Sequence, residues 1–394
     1  MKKIKGGITA PNGFLQSAVN SGIKKKNLDL ALIMSEKEAV CAGVFTTNAF
    51  KAAPVVVTKE QLDTKAHRAI IINSGNANCL TGKKGIVDAK AIISSLSSLI
   101  GCKPNQILIC STGIIGKRLP AARIKRALPS LAASMHKVNS HKAAKGIMTT
   151  DTFSKEIAYS FKVGKSLVRV AGIAKGAGMI QPNMATMISL ITTDAKINKP
   201  LLQKALKDAV EDSFNNITVD GDMSTNDTVL VMANGLSGVK ISSPSSYKRF
   251  VSALKALCLE LSKMIVRDGE GATKFIEIEV KQAKTKADAK QVALAIANSN
   301  LFKAMCYGND PNFGRVAAGC GAASVSVVPE EVDIYLNGKK AVKKGVACSD
   351  KLPSSIFKGK DIKVVVDLNS GKAQAKVYTS DLTPEYVKIN AAYC

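Results

Sequence analysis

The chain has 394 residues, 46% of them hydrophobic, and its 56 Lys and Arg against 30 Asp and Glu give a formal charge of +26. That length exceeds one ordinary domain of about 150 residues, so two or three lobes are expected. No apolar run reaches the ~20 residues a membrane-spanning helix needs, which excludes a helical membrane protein.

Gly6, Gly7 and Pro11 interrupt the basic N-terminus where a signal peptide needs a continuous apolar segment, so the chain reads as cytoplasmic. The positive charge invites a nucleic-acid reading, because Lys and Arg neutralise phosphates. The lysines of GIKKKN, TGKKG and GKKAVKKG are instead scattered over turns and helix faces without interleaved aromatics. A solvated basic surface that attracts small anionic metabolites is the expectation, with no nucleic acid as partner. Nine cysteines run from Cys41 to Cys394 with no C-x-x-C among them. They encode neither a disulfide framework nor a zinc site, and neither a metal nor an organic cofactor is expected.

In chain order, β-branched apolar runs recur at AIIINSGNAN (from Ala69), QILICSTG (Gln106), SLVRVAGIA (Ser166), ATMISLITT (Ala185) and TVLVMANG (Thr228). Each ends in glycine, asparagine or a hydroxyl residue, as buried strands do where they reach loops. Phe250, Leu254, Leu257, Leu261 and Ile265 step by three or four and share one helix face. Further on, VDIYLNGKKAV and IKVVVDLNSGKAQAKVY read as half-exposed antiparallel hairpins, with Asn337-Gly338 suited to a type I′ turn. Helices and strands mix without strict alternation, so the expected fold class is α/β, or layered α+β, with helices packed on stacked β-sheets.

The candidate chemistry starts from what is missing. His67, His136 and His141 each have a basic neighbour, Arg68, Lys137 and Lys142, and are expected at the surface, which disfavours Ser-His-Asp or Cys-His chemistry. KGAGMI fails as a nucleotide loop at Gln181. DGDMST, from Asp220, fails as a calcium loop because Thr225 and Val231 stand where glycine and glutamate are required. Thr186, between Ala185 and Met187, has three readings: an ordinary strand residue, part of a phosphate loop, or a nucleophile. The third needs self-cleavage, because a hydroxyl at a new chain start carries its own base, an α-amine with pKa of roughly 7.7 to 8.0.

Ten blocks in order resemble the ornithine acetyltransferase family, also called ArgJ, the glutamate N-acetyltransferases of arginine biosynthesis. They include GGITAPNGF (6–14), INSGNANCLTG (72–82), STGIIGKRLP (111–120), MTTDT (148–152), KGAGMIQPNMATM (175–187), ITVDGDMSTNDT (217–228), RDGEGATKF (267–275), GNDPNFGRV (308–316) and YVKINAAY (386–393). The resemblance implies a DmpA/ArgJ-like fold that cuts itself between Ala185 and Thr186. Residues 1–185 then form an α chain and 186–394 a β chain, with a smaller C-terminal lobe from about residue 280 and assembly as a dimer of αβ units.

The implied reaction passes acetyl from N-acetylornithine to Thr186 and on to glutamate. Thr112 and Gly113 would form the oxyanion hole, and Thr152, Lys175, Thr186, Glu270 and Asn390 would contact substrate. Some members of the family also accept acetyl-CoA, which adds amino-acid N-acetyltransferase activity to the expectation. The family usually carries hydroxyl residues after the final tyrosine, one of them touching substrate, where this chain reads Tyr393-Cys394; Ala49-Phe50 and Phe313 also depart from the pattern. Two rivals stand beside this reading: an N-terminal-nucleophile amidohydrolase or aminopeptidase that hands its acyl group to water, and a basic nucleic-acid-binding protein.

Overall fold

The computed structural model describes residues 1–136, 141–181 and 187–392. Two compact units emerge, the first made of Met1–Gly176, Pro182–Asn215 and Met223–Ile265, the second of Ala177–Gln181, Asn216–Asp222 and Val266–Cys394. Ala185 and Thr186 lie outside the described residues, as do Tyr393 and Cys394.

The first unit holds strands β1 (Lys2–Ile4), β2 (Phe14–Val19), β3 (Leu30–Phe45), β4 (His67–Asn76), β5 (Ile107–Ile114), β6 (Lys155–Val163), β7 (Ser166–Lys175), β8 (Ile188–Thr193) and β9 (Thr228–Ala233). They hydrogen-bond in the order β1-β6-β7-β8-β9-β3-β4-β5, with β2 also on β3. The long β3 makes this one sheet fold over itself. Its first half pairs with β2 and β4, its register breaks between Met34 and Ala39, and its second half pairs with β9.

Side-chain alternation then builds the layers. Ile70, Ile72, Leu108 and Cys110 of β4 and β5 share one core with Ile173, Ile188, Leu190, Leu230 and Met232 of β7, β8 and β9. The intervening Ala69, Ile71, Ile107 and Ile109 instead meet residues of two helices, α2 (Gly82–Ile100) and α3 (Ala121–Ala133), which follow α1 (Ala53–Gln61) in the chain. The helical face expected from Phe250 to Ile265 is wholly buried. It belongs to the helix Pro244–Arg267, which packs closely on β7: a Cβ on Gly172 would stand 3.0 Å from Leu257 and Leu261. Helices outside two facing sheet layers are the α/β architecture expected, and each fully buried Leu, Ile or Phe contributes about 1.5–3 kcal/mol to it.

His67 departs from expectation. It is fully buried, with Nε2 3.1 Å from the Gln61 carbonyl oxygen, and burial pushes its imidazolium below the usual range. Strand alternation explains this, since β4 turns Arg68 outward and therefore His67 inward. His141 is exposed and His136 half-buried.

The second unit is built on β10 (Phe275–Ala283), β11 (Asp333–Leu336), β12 (Lys339–Lys343), β13 (Val346–Ala347), β14 (Asp361–Asp367) and β15 (Ala373–Ser380), in the order β13-β12-β11-β14-β10-β15. The Asn337-Gly338 turn has the positive φ angles expected, 45° and 84°, and joins β11 to β12 with Leu336 opposite Lys339. The second expected hairpin is not one. β14 and β15 both pair with β10, β14 in parallel and β15 antiparallel, so β10 separates them. Ile276, Ile278 and Val280 of β10 are fully buried, a strand that needs neighbours on both edges, and the intervening loop crosses two strand spacings, about 10 Å.

Candidate active site

In the first unit, β4 and β5 run parallel in register, Ser74 against Thr112 and Gly75 against Gly113. Gly113 has φ of +130°, and a Cβ on it would fall 2.3 Å from the Gly75 carbonyl carbon. Only glycine lets the two strand ends approach so closely. Beside it, Thr112 is 8% exposed, and its Oγ1 accepts a 3.4 Å hydrogen bond from Lys175 Nζ at the end of β7.

A buried carboxylate organises this end of the sheet. Asp151 Oδ1 accepts from Lys155 Nζ at 2.7 Å and from the Gly176 N–H at 2.7 Å, while Oδ2 accepts from the Thr149 N–H at 2.8 Å. Burial alone would raise the Asp151 carboxyl, but Lys175, Lys155 and the Gly176 N–H outweigh it and hold it at about 2. Asp151 therefore stays charged and faces two lysines. Lys24 donates to the carbonyls of Met148, at 2.5 Å, and Leu28, at 3.2 Å, and burial pushes its ammonium down to about 8 against the pull of Asp29 and Asp151. Lys24, Lys145, Thr149, Asp151, Thr152 and Ser154 line a cleft of about 460 Å³, with Thr152 itself exposed.

Asp227, just before β9, behaves in the opposite way. Its side chain is buried with Oδ2 lacking a hydrogen-bond partner, and burial lifts its carboxyl well above the usual range despite Ser224, Lys175 and Thr46. Two buried acids under the influence of one lysine are thus shifted in opposite directions, a pattern frequent at functional sites.

In the second unit, Glu270 Oε2 accepts from Asn390 Nδ2 at 2.8 Å. The Glu270 N–H donates to the Ala177 carbonyl at 3.0 Å, and a Cβ on Gly178 would lie 2.3 Å from Glu270 Oε2. Asp220 accepts from the N–H groups of Met179, at 2.6 Å, and Ile180, at 2.8 Å, so this acidic residue of the failed calcium loop is a loop cap. Tyr386 donates its hydroxyl to Asp220 Oδ2 at 3.3 Å, and burial together with the charges of Asp220 and Glu270 raises its phenol. Tyr386 and Asn390 stand four residues apart on the helix Pro384–Ala391 and so share one face.

The expected site residues fall into two described groups, each within one unit: Thr112, Gly113, Thr152 and Lys175 in the first, Glu270 and Asn390 in the second. Thr186 is outside the described residues. Asp151, Lys155, Lys24, Asp227 and Tyr386 are not legible as site residues in the sequence. For Asp151 in MTTDT, Asp227 in ITVDGDMSTNDT and Tyr386 in YVKINAAY, the one available signal is their position inside a recognisable block. Among the described residues no group of three or more His, Cys, Asp or Glu is placed to hold a metal, and no helix is long and apolar enough to cross a membrane.

The ArgJ family profile matches residues 15–394. The chain is 45% identical over 387 residues to the arginine biosynthesis bifunctional protein ArgJ of Geobacter sulfurreducens, covering 97% of this chain and 98% of that one. It is 47% identical over 407 residues to the glutamate N-acetyltransferase of Methanocaldococcus jannaschii, covering 100% of each. Among solved structures, ornithine acetyltransferase from Mycobacterium tuberculosis complexed with ornithine is similar at 35% identity and a TM-score of 0.42, covering 47% of this chain and 99% of that chain.

Proposed function

The chain belongs to the ArgJ family, and from that premise we propose that it is a glutamate N-acetyltransferase of arginine biosynthesis, moving acetyl from N2-acetyl-L-ornithine to L-glutamate through an acetyl ester on Thr186. The observation that carries the reading is the buried hydroxyl–lysine pair, Thr112 Oγ1 and Lys175 Nζ at 3.4 Å, beside a Gly113 that admits no side chain. This is a polar site held in advance on rigid strand ends, the form an oxyanion hole requires.

Thr186 begins a β chain, 186–394, after cleavage from an α chain, 1–185, and its new α-amine serves as base. That amine takes the hydroxyl proton as Oγ1 attacks the acetyl carbonyl. The tetrahedral oxyanion is met by Thr112 and Gly113, donors typically worth about 3 kcal/mol each. Collapse breaks the acetyl–nitrogen bond, the held proton passes to the departing ornithine amine, and acetyl remains as the Thr186 ester. Glutamate's neutral amine then attacks, gives its proton to the same base, and leaves as N-acetylglutamate while Thr186 regains its hydroxyl proton. One hard exchange becomes two easier ones.

Lys175 suits an α-carboxylate, Glu270 the distal ammonium of ornithine, and Thr152 and Asn390 polar contacts to substrate. The pair of chains works in the cytoplasm as a dimer of αβ units, with a C-terminal lobe from about residue 280. Acetyl-CoA is a second donor to be assayed beside acetylornithine.

The test is a denaturing gel with N-terminal sequencing, paired with assays of acetylglutamate and free acetate. Wild type should give two chains, one starting at Thr186, and acetylglutamate as product; Thr186→Ala should stay intact and inactive. Two fragments from Thr186→Ala would refute the nucleophile, and free acetate in place of acetylglutamate would make the protein a hydrolase.

A further inference from the structure

The polar run Ser224-Thr225-Asn226-Asp227 precedes β9, and Asn226 within it is 5% exposed. Its Nδ2 donates both hydrogens, to the Ala77 carbonyl at 2.6 Å and the Ser111 carbonyl at 2.8 Å, across 149 and 115 residues of sequence. Its Oδ1 accepts from Thr225 Oγ1 at 2.7 Å, and its own N–H donates to Ser224 Oγ at 3.1 Å. Two carbonyl acceptors on one side and a hydroxyl donor on the other leave a single amide orientation. Two residues on, the Thr228 N–H donates to the Met187 carbonyl at 2.9 Å.

We propose that Asn226 is a positioning residue for acetyl transfer, fixing the Ser111 peptide and through it the Thr112 and Gly113 donors. The inference rests on the oxyanion role proposed above. The Ser111 carbonyl and the Thr112 nitrogen belong to one rigid peptide plane, so holding the carbonyl orients the Cα from which the Thr112 hydroxyl projects. Ala77 is the complementary anchor. It follows Asn76, which pairs with both Thr112 and Ile114 at an irregularity in the ladder, so one side chain grips the ends of β4 and β5 together. The same three-residue stretch, through Thr228, holds the carbonyl of Met187, the residue that follows Thr186. Residues 226–228 therefore tie the donor strand to the strand that Thr186 precedes. Filling this space needs only an apolar side chain; a fully bonded buried amide adds fixed geometry. Geometry is what the reaction is sensitive to, since a shift of about 1 Å costs on the order of a hundredfold in rate.

Asn226→Asp keeps the shape and replaces the donor with an acceptor. On processed enzyme, with active sites counted by the acetyl-enzyme burst, kcat should fall by on the order of 30- to 100-fold. KM for N-acetylornithine should stay within about threefold. A kcat per active site within about threefold of wild type would overturn the proposal, whatever happens to stability, because a purely structural amide changes melting and not turnover. Where Asn226→Asp does not fold or process, Thr225→Val decides. It removes the hydroxyl that holds Oδ1, loosening the amide while its two Nδ2 bonds remain, and should lower kcat about threefold at unchanged KM; unchanged kcat overturns the proposal. Wild-type protein that forms no acetylglutamate would refute the transferase reading itself, whereas an active wild type with an undiminished variant refutes only the role of Asn226.

Discussion

Asp151 shows how much one residue can organise. It neutralises Lys155, whose side chain is completely buried with it, and caps the Gly176 N–H where β7 ends. Its carboxyl sits at about 2 in the fold against an ordinary 3.8, so between those values the unfolded chain binds the extra proton. The stabilisation is therefore complete above about pH 5 and fades as pH falls toward 2, by on the order of 2 kcal/mol. We predict that Asp151→Asn lowers the urea midpoint sharply at pH 6, where it strands a buried ammonium, and by less at pH 3, where about half of the carboxylate's contribution is already lost. An equal gap at both values would defeat the assignment. None of this is legible locally, because MTTDT reads equally well as a surface loop. The same holds for Asn226, whose partners lie more than a hundred residues away. Thr112 and Gly113 stand out only by resemblance, since a hydroxyl residue and glycine after a strand are ordinary turn punctuation.

At the scale of elements, the C-terminal helix is held by its polar ends. Thr383 caps it, accepting from the Tyr386 N–H at 3.3 Å and donating to the Gly271 carbonyl at 2.8 Å, with Pro384 in the first turn. No residue of the helix is buried, so Tyr386–Asp220 and Asn390–Glu270 are prominent among its tethers. Asn390→Ala removes a hydrogen bond to Glu270, of a kind worth about 1.5–3 kcal/mol. We predict that KM for N-acetylornithine rises about tenfold while kcat stays within about threefold, as loss of uniform binding requires. A fall in kcat at constant KM would place Asn390 in the chemical step instead. Thr383-Pro384 is a readable helix start, yet read alone Asn390 looks like a fraying tail. Strands β5, β7 and β9 are legible because burial on both faces demands β-branched runs. The separation of β14 from β15 by β10 is not, since a short loop serves a hairpin and a crossing equally well and only the buried β10 decides.

Over the whole molecule, the unexplained quantity is the charge of +26. The proposed reaction gives it a use that differs between its two halves. N-acetylornithine has one positive and one negative group, so a uniform positive field neither draws nor repels it. Glutamate is a net anion, the departing ornithine a net cation and N-acetylglutamate a stronger anion. A basic surface therefore concentrates the acceptor and hastens release of the first product, at the cost of holding the second longer. Ping-pong kinetics report kcat/KM for each substrate separately, which makes the asymmetry measurable. Raising ionic strength from about 20 mM to about 200 mM shortens the screening length from roughly 20 Å to under 10 Å. We predict a fall of about threefold in kcat/KM for glutamate and little change for N-acetylornithine. Equal sensitivity of the two would mean that the charge acts through stability or solubility and has no part in substrate capture.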